Sequence, residues 1–263
     1  TREDGSRCGF GGCYYNRPAD RTDDFNELSA RAGISTTLDS INYFAQISLG
    51  FRPPQINEAY RLQKKQNVTD LDSETLTMFE FGSKFELESL MGSLSFYQSK
   101  KKNSIFRDSQ NFIVDNGKTD HKGVELSLSI FVNLRNTINA NITYGDHRYD
   151  FETDTSMREK IRVDNKIDTA PKIMANLLWN ININDDSNLS LEIEHMDSYY
   201  TDAANLHEYE GHTLYHARFN REFSESLKGY LRIENLTDKR YAERADFNAF
   251  GGDRYFPGLP REV

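Results

Sequence analysis

No stretch of the 263-residue chain approaches the roughly 18 to 20 consecutive apolar residues that a membrane helix needs, and the apolar runs are short pieces such as Ile130-Phe131-Val132. Helical membrane proteins are excluded. A basic excess is missing too: 32 Lys and Arg face 41 Asp and Glu, a net charge of −9. Neutralising phosphates requires the opposite sign, so no nucleic-acid partner is expected. There is no Gly-x-Ser-x-Gly elbow of the kind a Ser/His/acid hydrolase uses, and no apolar repeat of helical period. No charged n-region with an apolar h-region follows Thr1, and the chain stops at Val263 just after Pro260-Arg261-Glu262. Neither terminus reads as a natural start or finish, so a missing signal peptide says nothing about compartment. Cysteine is scarce: Cys8 and Cys13 enclose Gly9-Phe10-Gly11-Gly12. That spacing allows a small disulfide-closed loop in an oxidising compartment, with free thiols as the alternative. A metal there would need two further ligands nearby, and the sequence offers none.

What is present is aromatic content and strict alternation. Aromatics make up 12% of the residues, more than a disordered chain carries. A mean hydropathy of −0.73 first suggests a soluble acidic protein. The pattern says otherwise. Leu28, Ala30, Ala32, Ile34 and Leu38 alternate with small or polar residues, and after Asp39-Ser40 the series resumes at Ile41, Tyr43, Ala45, Ile47, Leu49 and Phe51. Two strands with one apolar face and a very short turn form a hairpin. Equivalent series run through Phe79 to Leu87, Leu90 to Phe96, Val124 to Val132, Ile138 to Tyr144, Ile173 to Ile181, Leu189 to Ile193, Tyr215 to Phe219 and Leu227 to Ile233, ten strands in all.

Connections alternate as well. Tight links fall at Asp39-Ser40, Glu88-Ser89, Leu134-Arg135, Asp185-Asp186 and Glu225-Ser226; long links are expected at about 55 to 73, 101 to 120, 146 to 170, 198 to 211 and 237 to 257. Turns at one end and loops at the other are the signature of an all-β, antiparallel, up-and-down transmembrane barrel with short periplasmic turns and long extracellular loops. The alternative is a soluble β-rich, propeller-like carbohydrate-binding protein, but a blade holds four short strands per repeat, whereas each repeat here holds two long ones. Phe51, Tyr97, Tyr144, Tyr199, Tyr200 and Tyr241 fall where strands meet long loops, as expected of an interfacial girdle.

The run Gly50-Phe51-Arg52-Pro53-Pro54-Gln55-Ile56-Asn57-Glu58-Ala59-Tyr60, the segment Asp120-His121-Lys122-Gly123-Val124-Glu125-Leu126, the Ala170-Pro171-Lys172 entry to a strand and Ile233-Glu234-Asn235-Leu236-Thr237-Asp238-Lys239-Arg240-Tyr241 resemble the barrel of TonB-dependent outer-membrane receptors. Pro257 to Val263 resembles the approach to that family's last strand, and Tyr14-Tyr15-Asn16-Arg17-Pro18 after the cysteine loop resembles an outward loop of some members. The resemblance implies a 22-stranded barrel of which residues 1–263 supply roughly strands 12 to 21 and the start of the last. The plug and the TonB box are absent from the sequence. It implies TonB-energised uptake of a scarce ligand, most often a ferric siderophore or other iron complex, with no catalysis, no cofactor, contact with outer-membrane lipid and a monomeric state. Ligand contacts would then lie on outward loops or upper lumen positions. The candidates are Tyr60, Arg61, His147, Arg148, Tyr149, His207, Tyr209 and His212, since rings pack on a flat chelate and Arg pairs with an anionic one. His207, Glu208, Glu210 and His212 lie close in sequence, but their spacing is not a recognised metal-ligand pattern, so no metal site is assigned.

Overall fold

The computed structural model describes residues 5–10, 12, 13, 15, 16, 19–64, 66, 71–155 and 159–263. Gly11, Tyr14, Arg17 and Pro18, which figure in the reading above, lie outside the described residues. Ten strands form one antiparallel sheet in chain order: β1 Ala30–Leu38, β2 Ile41–Arg52, β3 Glu74–Leu87, β4 Leu90–Arg107, β5 Ile113–Asn133, β6 Asn136–Tyr149, β7 Ile173–Asn184, β8 Ser187–Met196, β9 His212–Ser224 and β10 Leu227–Ile233. Each strand pairs with its sequence neighbours, an up-and-down meander. A single ten-stranded sheet overturns the propeller alternative, whose blades are separate four-stranded sheets. The five tight turns are the five expected two-residue links. Asn133 and Asn184 build two of them by accepting, through Oδ1, the amides of Arg135 (2.9 Å) and Asp186 (3.0 Å), the local bond that makes Asn a turn residue.

Register carries one apolar row after another around the sheet. Ile34, Ala45, Phe81, Phe96, Val124, Tyr144 and Ile173 are successive cross-strand partners from β1 to β7. The parallel row of Leu87, Leu90, Ile130, Ile138, Trp179, Leu191, Ala217 and Ile233 runs nearer the turns. Many of these side chains remain uncovered: Ile34 is 76% and Phe81 46% exposed. An apolar face this extensive belongs against lipid. The opposite face is laddered by polar pairs, including Ser127 to Asn141, Ser190 to Asn180 and Asn176 to Glu192 at 2.6–2.8 Å.

Three expectations change. The link placed at 101 to 120 is only 108–112, because β4 and β5 continue as a hairpin of 18 and 21 residues. Likewise β6 runs on to Tyr149, so His147, Arg148 and Tyr149 are strand residues. The girdle is also different: register puts Tyr97 on the polar face, opposite Gly123, and Tyr199 is buried among the outward loops. Phe96 takes the lipid-facing place, its ring stacked on Phe81 at 5.0 Å.

The buried clusters lie at the outward end, where the loops pack on the ends of β4, β5 and β6. They centre on Leu62 with Ile105 and Ile113, on Ile161 with Tyr149 and Ala203, and on Tyr199 and Tyr209 with Ala242 and Ala245. The loops carry their own short pairings, Tyr15–Asn16 with Leu62–Gln63, Tyr199–Tyr200 with Glu208–Tyr209, and Ala242–Asn248 with Gly252–Pro257, plus one short helix, α1, over Ile56–Tyr60. β1 and β10 are unpaired edges of the sheet, and just past β10 Glu234 and Glu262 form an isolated antiparallel bridge.

Candidate functional site

The outward end of the polar face, with the loops above it, gathers most of the ring and basic side chains that could meet a ligand. Arg52 organises the first part of this rim. Its guanidinium donates to Glu74 (2.5 Å) at the head of β3 and to both carboxylate oxygens of Glu58 (3.0 Å) in α1. Glu74 is almost wholly buried and also receives Lys101 Nζ (2.9 Å) and the Ile105 amide (2.8 Å). A buried carboxylate is tolerated when so many donors converge on it. This network ties the Gly50 to Tyr60 motif to the strand tops. Beyond it, Tyr60 donates to Asp23 (2.7 Å), and Arg61 lies over the Tyr15 ring, 4.5 Å from its centre, and donates to its hydroxyl at 2.9 Å.

His147, Arg148 and Tyr149 are consecutive in β6, so they alternate in face. Arg148 shares the lipid-side parity of Val124 and Tyr144 but lies above them, bonded to Asp146 at 3.0 Å and to the Asp164 carbonyl. Tyr149 is buried, edge-on to Phe151, and donates to Asp168 (2.7 Å). His147 faces the lumen side. Its cross-strand partner is His121, with the two Nδ1 atoms 3.0 Å apart and Thr119 Oγ1 2.8 Å from His121 Nε2. Below the pair, Gly123 and Gly145 face each other, and a Cβ on Gly145 would lie 2.4 Å from His147 Nε2. Glycine there lets the imidazole lie flat along the wall. A cleft of about 140 Å³ opens beside His147, lined also by Lys172, Tyr199 and Glu208.

Tyr209 and His212 do come together, joined at 2.9 Å from the tyrosine oxygen to Nδ1, with Tyr241 against the imidazole at 4.6 Å. Tyr199 and Tyr209 are also cross-strand partners whose hydroxyls each serve one loop residue twice. Tyr199 accepts the Ala245 amide (2.8 Å) and donates to its carbonyl, and Tyr209 does the same for Ala242 (3.0 Å). The two phenols clamp the 242–257 hairpin onto the preceding loop. His207 stacks on Phe247 at 3.7 Å and reaches Asp253 at 3.3 Å, which adds a third tie between the same loops. Burial pushes the Tyr199 phenol up from its ordinary pKa value. Among the described residues no group of three or more His, Cys, Asp and Glu converges as a metal site.

The eight candidates therefore fall into three places: Tyr60 and Arg61 at the C-terminal end of α1, His147 to Tyr149 at the top of β6, and His207, Tyr209 and His212 in the loop clamp. His121 was not singled out by sequence, nor were Arg52 and Glu74. The Cα atoms of Cys8 and Cys13 lie 4.9 Å apart.

Comparison with known proteins agrees with this architecture. No curated protein matches the sequence. Among solved structures, the siderophore receptor PiuA from Acinetobacter baumannii superposes with a TM-score of 0.72 at 19% identity, over 88% of this chain and 34% of that one. The ferric-catecholate import receptor Fiu from Escherichia coli K12 gives 0.72 at 17% identity, over 97% and 37%. The ferric citrate transporter FecA gives 0.72 at 18%, over 89% and 36%. The chain thus spans about a third of the length of each, and at these identities the likeness concerns the fold. The family described as TonB dependent receptor-like, beta-barrel, matches residues 9–236. An exposed apolar belt, polar opposite face and turn-to-loop asymmetry place the sheet in the bacterial outer membrane, and the chain belongs to the TonB-dependent receptor β-barrel family.

Proposed function

We propose that residues 1–263 form the C-terminal part of the barrel of an outer-membrane receptor that takes up a ferric siderophore or another iron complex, energised by TonB through an N-terminal region outside this sequence. The reading is carried by one observation: the outward loops are packed into a shaped rim of tyrosine, histidine and arginine above a polar wall. The names of the three similar structures, all of them receptors or transporters of siderophores or ferric complexes, support the cargo class. The receptor works as a monomer, catalyses no reaction, and closes the Cys8–Cys13 loop as a disulfide on the oxidising side of the membrane. Its direct ligand contacts come from the rim, with Tyr60, Arg61 and His147 offering side chains less committed to holding loops together than Tyr149 or Tyr209. The test is uptake of radiolabelled ferric siderophores by iron-starved cells with and without the full-length gene. Loss of uptake of at least one ferric complex on deletion is expected; unchanged uptake of every complex across a panel of catecholates, hydroxamates and citrate would refute the iron assignment.

A further inference from the structure

We infer that His121 and His147 form a two-imidazole site for a divalent transition-metal ion of tetragonal preference, Cu(II) above all, in the lumen wall above the lipid belt. The argument rests on the wall and not on the identity of the cargo. Val124 and Tyr144 make the last apolar row on β5 and β6; one step higher on the same face stand Lys122 and Asp146, so the hydrocarbon ends there. His121 and His147 are the next partners, on the polar face and about 10 Å beyond the Val124–Tyr144 row at 3.4 Å per residue. The pair is thus in the part of the wall above the hydrocarbon, and the cleft beside it, lined by Asp197 and Glu208 together with Lys166 and Lys172, reaches the His147 ring.

The Nδ1 atoms lie 3.0 Å apart. Bound at about 2.0–2.1 Å from each nitrogen, a metal would see them at an angle of about 95°, whereas a tetrahedral ion needs them about 3.3 Å apart. An angle near 90° is the edge of a square-planar or octahedral site, and imidazole ligands in that geometry select Cu(II) or Ni(II). Without metal, one Nδ1–H donates to the other Nδ1, which requires at least one neutral ring. Metal binding needs both nitrogens as lone-pair donors. The ring that had donated moves its proton to Nε2. If that ring is His121, Thr119 Oγ1 at 2.8 Å changes from donor to acceptor, and no proton is released. A small rotation of each ring turns the lone pairs from each other towards one point. Gly145 leaves the His147 ring the space to lie there. Two protein ligands leave the other positions to water or to an incoming ligand, as befits an ion in passage more than a structural one.

The experiment uses the full-length receptor in detergent, stripped with chelator, titrated with CuCl₂ alone and followed by electron paramagnetic resonance. His121→Asn, His147→Asn and Gly145→Ala are compared with His195→Asn, in β8, as a control, with heat-modifiable gel mobility confirming folding. The wild type is expected to give a tetragonal Cu(II) signal coupled to two imidazole nitrogens. Each of the two His substitutions at the pair should weaken binding by about tenfold or more, since losing even an outer partner of a ligand costs 10–100-fold. Gly145→Ala should weaken it with both imidazoles still present, and His195→Asn should change nothing. On the wild type alone, Cu(II) should outcompete Zn(II). A wild-type spectrum with fewer than two coupled nitrogens, or affinity unchanged in the His121 and His147 variants, would overturn the site.

Discussion

Asn235 shows how much of the outward rim depends on one side chain. It is 2% exposed and has a φ of 49°, a left-handed conformation that Asn adopts more readily than most residues. Its Oδ1 accepts the Lys239 amide at 2.9 Å, its Nδ2 donates to the carbonyls of Lys239 and Leu259, and its own amide points at His216 Nδ1. One residue therefore turns the chain out of β10 and pins the returning segment. Asn235→Ala leaves a buried amide and two carbonyls without these partners and keeps the positive φ without an Asn to occupy it. The expected cost is about 2–3 kcal/mol. It should be measured as a lower melting temperature of the full-length receptor in detergent, with Asn235→Asp retaining the Lys239 bond and falling between. A melting temperature unchanged in Asn235→Ala would contradict the role. The same residue scale explains why the His121–His147 pair was not visible in sequence. Counting outward from the Leu134-Arg135 turn places His147 opposite Lys122. The register shift between Phe131 and Asn133 moves every later pair by one residue and brings the two imidazoles together. The sequence did hold a clue to that shift: apolar positions on both strands are even-numbered, and a regular two-residue turn cannot align them.

At the scale of elements, the ten strands and five turns were legible because lipid on one side and water on the other force a contrast between neighbours. The contrast ends where the lipid ends. From Gln98 to Lys102 and from Lys118 to Lys122 both faces are polar, so the upper β4–β5 hairpin read as a loop although its ladder continues. The hairpins within the loops were illegible for a related reason. Their stability comes from a few specific bonds, above all the Tyr199 and Tyr209 clamp, and not from periodicity. Tyr199→Phe with Tyr209→Phe removes the acceptors of two almost fully buried amides, Ala245 and Ala242, each worth about 1–3 kcal/mol when left unpaired. Exchange of those two amides in the full receptor should accelerate by at least tenfold, while amides in β5 keep their protection. The hairpin also carries a pH dependence. Burial raises the Asp246 carboxyl, but its hydrogen bonds with Arg244 and Arg254 outweigh this and hold it below its ordinary 3.8. A depressed carboxylate stabilises the folded hairpin at pH values above the unfolded pKa, and that contribution is lost as pH falls through the folded one. Protease nicking near Phe250 should therefore rise as pH drops from 6 to 3, assayed with an acid-active protease, and Asp246→Asn should already be nicked at pH 6. Equal nicking of variant and wild type at pH 6 would rule this out.

For the whole molecule, the decisive property is that its two faces meet different solvents, and a pair of adjacent residues can test this. Leu126 and Ser127 are neighbours in the middle of β5. Leu126 lies between Leu94 and Ile142 on the apolar face, whereas Ser127 lies between Ser93 and Asn141 and donates to Asn141 Oδ1 at 2.8 Å. If the apolar face is against hydrocarbon, Leu126→Arg puts a charge near the bilayer midplane at a cost of about 2–4 kcal/mol. Ser127→Arg loses one hydrogen bond and leaves its charge in a wet lumen, with a cost of about 1 kcal/mol. A soluble core on either face would reverse or level this order. The unpaired edges of β1 and β10 set the condition for the measurement: in lipid, open edges leave backbone N–H and C=O groups without partners, so residues 1–263 expressed alone should aggregate and show no heat-modifiable barrel. The pair must be compared in the full-length receptor, refolded into vesicles and unfolded with guanidinium. A loss from Leu126→Arg at least twice that from Ser127→Arg assigns the lipid side to the even-numbered face of β5; equal losses would mean that the lipid and lumen sides have been assigned wrongly.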